Sequence, residues 1–233
     1  MMKKFYKTII AAILLLFAIQ SGYSKRANIE EKIKEFNGVQ VIYTDLITEE
    51  EVDNLGAYFI ASEFADGGEK MAMLTKKEDA YQLYIIVRGD VMEDEETIAI
   101  LKGYKEELCA AVFSDKMVDL YYSDFEMQPL LWFPAKENPN DKPRFIIVNE
   151  TGYDIHHIYV SRQDSDNWEE DLLGDNILEN EEVFIVSLLR PLSEGNRYDI
   201  LLVDKDGDSY SKLNVLITNN MFIYFVVDDM DTE

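Results

Sequence analysis

An α+β domain followed by an all-β domain is the fold this sequence predicts, and three features predict it. Apolar residues recur at helical spacing in two segments before Pro134 and in none after Arg144. Short alternating or continuous apolar runs, bounded by turn residues, fill most of the remainder. Between the halves lies PAKENPNDKPR, Pro134 to Arg144, with three of the five prolines and one apolar side chain besides them. Proline withholds a ladder donor and favours extended backbone, so this stretch reads as a semi-rigid linker. The expected boundaries are 1–24 for a leader, 25–133 for the α+β domain, 134–144 for the linker and 145–233 for a β-sandwich domain.

In the first domain GVQVIYT reads as a strand, and TEEEVDNLGAYFIASEF as a helix. Thr48 and Glu51 have capping-box spacing, acids crowd the first turn, and Val52, Leu55 and Phe59 share a face. FADGG ends it. KMAMLT and AYQLYIIVRG, separated by KKED, read as a hairpin. DEETIAILKGYKEELCAAVF repeats the helical period through Ile98, Leu101, Tyr104, Leu108 and Val112, and MVDLYY and PLLWF close the domain. The order βαββαββ implies an antiparallel or mixed sheet with both helices on one face. After the linker, RFIIVN, IHHIYVS, EVFIVSLL, YDILLVD, SYSKLNVLIT and MFIYFVV read as the strands of a sandwich. MFIYFVV is apolar on both faces, which predicts a central strand covered on both sides.

The first residues set the compartment. MMKKFYKT is cationic, IIAAILLLFAI is apolar, and QSGYS is small or polar, the pattern of a cleavable secretory signal. The apolar run falls short of the roughly 20 residues a membrane span needs. A periplasmic or secreted protein with no membrane span after cleavage is expected. The single cysteine, Cys109, excludes an intramolecular disulfide and a lipidated cysteine after the leader. With 46 acidic and 22 basic residues the net charge is −24, even before the leader removes Lys3, Lys4 and Lys7. Nucleic acid and anionic lipid are poor partners for such a chain, whereas cations and basic protein surfaces suit it.

Catalytic signatures are absent: there is no G-x-S-x-G, H-E-x-x-H, phosphate-cradling glycine loop or G-x-G-x-x-G. A nucleophilic Cys109 would need a base, and the only histidines, His156 and His157, lie across the linker. As strand neighbours they point to opposite faces and do not converge on one metal. Glu49, Glu50 and Glu51 are the acids a helix dipole attracts to a first turn.

One loop does invite a chemical reading. In YDILLVDKDGDSYSKLNVLIT, Asp204, Asp206 and Asp208 crowd around Gly207. The EF-hand pattern fails, because positions one and twelve are Leu202 and Leu213. Asp206-Gly207 between apolar strands is a hairpin signal, yet a hairpin does not need the other two aspartates. The second acidic loop, SRQDSDNWEEDLLGDN, adds Asp164, Asp166, Asp171 and Asp175. If the loops share one end of the sandwich, Asp204, Asp206, Asp208, Asp164 and Asp166 form a candidate oxygen-rich Ca²⁺ site. The structural alternative gives Asp166 and Glu169 capping spacing, with Gly174 ending a short helix. Trp168 reads as a packing residue under that loop, or as a platform for a sugar or peptide.

Three segments, NETGYDIHHIYVS, SDNWEEDLLG and YDILLVDKDGDSY, resemble a small β-sandwich module of uncharacterised exported bacterial proteins. The resemblance implies architecture and compartment, and no activity. The function expected is a non-catalytic envelope protein that binds a protein or cell-surface partner. The rival is a hydrolase acting on an extracytoplasmic polymer. A pocket of converging carboxylates would favour the hydrolase; a flat aromatic patch or an open sheet edge would favour interaction.

Overall fold

The computed structural model describes residues 31–88, 92, 94–114, 116–136, 142–165 and 167–231. The expected leader, 1–24, and the middle of the expected linker, 137–141, lie outside them. Among the described residues are twelve strands and two α-helices, so the chain is mostly β. It divides into two compact units that part between Lys136 and Glu137. No helix among the described residues is long and apolar enough to cross a membrane.

In the first unit the elements run β1 (Glu31–Phe36), β2 (Val39–Thr44), α1 (Glu49–Ala61), β3 (Lys70–Lys77), β4 (Ala80–Ile86), α2 (Glu95–Leu108), β5 (Val118–Ser123) and β6 (Pro129–Phe133). The order is therefore ββαββαββ, with a strand at the start that the apolar pattern did not predict. EKIKEF has only Ile33 and Phe36 as apolar residues, so its charges hide the strand period. The strands lie side by side in chain order, with β2–β3 and β4–β5 parallel and the other pairs antiparallel.

Both helices pack on one face of this sheet. Tyr58 of α1 meets Tyr104 of α2 with ring centroids 5.7 Å apart, and the Tyr122 hydroxyl of β5 donates to Leu101 O (3.0 Å). Val52, Leu55 and Phe59 are fully buried there. α1 starts as the capping box requires: Thr48 Oγ1 accepts from Glu51 N, and Glu51 Oε2 accepts from Thr48 N. α2 is capped by Asp94 and ends in a π-helical turn, Cys109–Phe113.

The second unit holds β7 (Arg144–Glu150), β8 (Ile155–Arg162), β9 (Val183–Ser187), β10 (Arg197–Asp204), β11 (Ser209–Leu216) and β12 (Met221–Val226). Its strands form the neighbours β12-β7-β9, with β12–β7 parallel and β7–β9 antiparallel, and a separate antiparallel sheet β11-β10-β8. β7 starts on Arg144, the last residue of the expected linker. β10 alternates strictly, burying Tyr198, Ile200, Leu202 and Asp204. β12 also buries one face, Met221, Ile223 and Phe225, while Phe222 and Tyr224 are half-buried and Val226 is exposed.

Candidate functional site

The DKDGD loop uses its three aspartates differently. Asp204, only 5% exposed, ends β10 with Oδ1 accepting from the amides of Asp206 (2.9 Å) and Asp208 (3.0 Å). Asp204 N donates to Asp208 O (3.0 Å), and Gly207 takes φ +91°, a conformation costly for any residue with a Cβ. This is an Asx turn inside a hairpin closure. Asp206 and Asp208 are exposed. Burial, and then the charge of Asp204, push the neighbouring Tyr210 phenol up to about 12.

The second acidic loop is spent in the same way. Asp171 Oδ1 accepts from the amides of Ile158 and Leu173 (both 3.0 Å), and its Oδ2 lies 2.9 Å from His157 Nδ1. Those bonds draw the loop against β8, and no helix forms across 167–174 in place of the short one anticipated. Leu173, 4% exposed, is the residue packed beneath the loop; Trp168 is 40% exposed. Asp164 is exposed and paired with Arg162 through Nε (3.0 Å) and Nη2 (3.2 Å). Asp166 lies outside the described residues, and Asp175 is exposed. Among the described residues no three His, Cys, Asp or Glu side chains are grouped to hold a metal.

NETGY is a third knot of this kind. Fully buried Asn149 donates from Nδ2 to the carbonyls of Tyr153, Leu178 and Glu179 and accepts at Oδ1 from Thr151 Oγ1 (2.8 Å). Each motif thus centres on one inward-turned polar side chain, Asn149, Asp171 or Asp204, that satisfies backbone groups a loop would otherwise leave unpaired.

The remaining polar clusters are likewise committed. Glu51 receives the Tyr81 hydroxyl and pairs with Lys76 (3.0 Å) and Lys116 (3.6 Å), tethering α1 to the sheet. Burial pushes the half-buried Cys109 thiol up, away from the thiolate a nucleophile needs. On the helix-free face Tyr84, Tyr121 and Trp132 stack in a row, but Tyr84 is buried and Trp132 Nε1 donates to Asp119 (3.2 Å).

What stands open is a sheet edge. Among the described residues, β1, β8, β9 and β11 each lie at the end of a sheet. Unpaired strand edges recruit other strands, and proteins guard them with charge or with a covering segment. β1 carries Glu31, Lys32, Lys34 and Glu35. β8 is covered by 171–178, through Leu172 N to Ile158 O (2.9 Å) and the reciprocal bonds of Ile155 with Leu178. β11 carries Lys212, and Asp231 N donates to Ser209 O (2.8 Å). β9, VFIVS, has no charge, and among the described residues no segment covers it.

The register says which groups face outward. Val186 pairs with Phe145 and Phe184 with Ile147, in step with the bonds Leu188 N to Pro143 O (2.8 Å) and Asn149 N to Glu182 O (3.0 Å). Even-numbered residues therefore turn their N–H and C=O groups to β7. In an antiparallel ladder the alternate residues, Val183, Ile185 and Ser187, turn theirs to the open side. Val183 is 43% and Ile185 55% exposed, and Leu189, just beyond, is 83% exposed.

No family model matches the chain, and no curated protein is similar to it. Among solved structures, the NMR structure of a protein from Eubacterium rectale is similar over 39% of this chain and 82% of that one, at 13% identity and a TM-score of 0.30. A likeness that low carries no argument about fold or function.

Proposed function

We propose that the protein is a non-catalytic, exported bacterial envelope protein whose C-terminal β-sandwich domain binds a protein partner by strand addition at β9. The carrying observation is the contrast between edges: β1, β8 and β11 are charged or covered, whereas β9 presents uncharged backbone and exposed Val183 and Ile185. Main-chain hydrogen bonds to an added strand supply affinity, and pockets between alternate side chains supply specificity. Export rests on the leader-like residues 1–24, and the strong negative charge favours a partner whose contacting strand carries no acidic side chains. Calcium has no part in this reading, which rests on the β9 edge alone.

A photoreactive phenylalanine analogue placed at position 185 or, as a control, at exposed Leu213 of β11 tests the reading in cells that export the protein. A discrete cross-linked product from position 185 and none from position 213 is expected. Absence of a product at 185, or the same products from both positions, would refute strand addition at β9.

A further inference from the structure

We infer that the strand added to β9 is β9 of a second copy of this chain, paired antiparallel about a twofold axis through Ile185. The inference rests on the strand-addition reading and names its occupant. The outward residues Val183, Ile185 and Ser187 are symmetric about Ile185. A twofold there sets Ile185 against Ile185 and Val183 against Ser187 of the other copy, so every outward amide and carbonyl of the strand finds a partner. A register shifted by two residues leaves an outward residue unpaired on each copy.

Charge selects the direction. Glu181 and Glu182 stand before the strand and Arg190 stands after it, all exposed. Antiparallel pairing brings the acidic end of each strand to the arginine end of its mate. Parallel pairing would set acid on acid and arginine on arginine, which repel. The chain's net charge of −24 opposes association of copies generally, so approach is least costly along the uncharged strand. Screening at physiological ionic strength, with a Debye length of about 8 Å, reduces that repulsion, and association strengthens as salt is added up to that level.

Sedimentation equilibrium of the exported chain in about 0.15 M salt should show a reversible monomer–dimer equilibrium. Ile185→Lys, which sets two lysines face to face across the axis, should weaken it about tenfold. Arg190→Glu should weaken it too, and adding Glu181→Arg should restore it. Because Ile185 is exposed, the lysine variant should melt as the parent does.

A second arm does not depend on that variant. In a Cys109→Ser background, Ile185→Cys should form a disulfide-linked dimer under mild oxidation, since hydrogen-bonded antiparallel pairs hold their Cα atoms about 5.5 Å apart, within disulfide range. Leu213→Cys in the same background should not. A chain that stays monomeric, and cysteines at 185 and 213 that cross-link alike, would overturn self-pairing. If the photoprobe at 185 then captures a different molecule, strand addition stands without self-pairing; if it captures nothing, both readings fall.

Discussion

Replacing Asp204 by alanine removes the acceptor that two amides share. Its Oδ1 lies 2.9 Å from Asp206 N and 3.0 Å from Asp208 N, and the side chain is almost wholly buried. Hydrogen bonds to a charged group contribute about 1.5–3 kcal/mol each. Asp206 and Asp208 are exposed, so their amides recover part of that from water, and a loss of about 2–4 kcal/mol is expected for the pair. For a unit of this size that corresponds to a fall in melting temperature of roughly 10–25 °C. Asp204→Asn keeps an oxygen acceptor and should lose about 1 kcal/mol. Asp206→Ala and Asp208→Ala should stay within about 0.5 kcal/mol of the parent. Trp132 lies in the first unit and Trp168 in the second, so urea unfolding of a Trp132→Phe chain, followed by the fluorescence of Trp168, reports the second unit. Equal losses for all three alanine variants, or a loss at Asp204 that vanishes in chelator, would refute the Asx-turn account.

Gly56→Ala would ordinarily stabilise a helix interior, but its Cβ would strike the Phe36 ring; a net loss of about 1–3 kcal/mol is expected in thermal melts, relieved by Phe36→Ala in the same chain. Burial alone would raise the Glu51 carboxyl, but the Tyr81 hydroxyl, the Thr48 amide and Lys76 outweigh it and bring the group down to about 2. A folded-state value below the unfolded one adds stability that is present above about pH 4.5 and is lost as pH falls toward 2. Stability of the first unit should therefore fall by on the order of 1–2 kcal/mol over that window, solvent screening included, and Glu51→Gln should flatten the fall in acid titrations followed by circular dichroism. Melting in chelator, calcium and magnesium should give equal temperatures; a calcium-specific rise would revive a metal role for the acidic loops.

Local rules made much of the fold legible. The capping box at Thr48 and Glu51, the Val52, Leu55 and Phe59 stripe, and the alternation of β10 are signals carried within a few residues, and each has its counterpart in the structure. β1 was not legible, because Glu31, Lys32, Lys34 and Glu35 mask its period; its pairing with β2 comes from the Asn37-Gly38 turn and the ladder, not from an apolar face. The acidic loops looked like a site because spacing cannot tell a carboxylate aimed at solvent from one folded onto its own backbone. Asp171 and Asp204 are the second kind, and their amide partners, among them Ile158 and Asp208, could be named only once the turns were seen. EVFIVSLL was readable as a strand, but its place at a sheet end depends on pairing with β7 some 40 residues earlier in the chain. Nothing local marks it as an edge, for the strand segments PLLWF and MFIYFV are equally uncharged.

Residue-resolved amide exchange by NMR across β9 tests the central claim most directly. In dilute solution Phe184 and Val186, bonded to β7, should exchange slowly, while Val183, Ile185 and Ser187 exchange fast. Raising the protein concentration should slow those three outward amides selectively. Uniform protection along the strand in dilute solution, or outward amides that stay fast at every concentration and with every molecule captured at position 185, would contradict an open edge that takes an added strand.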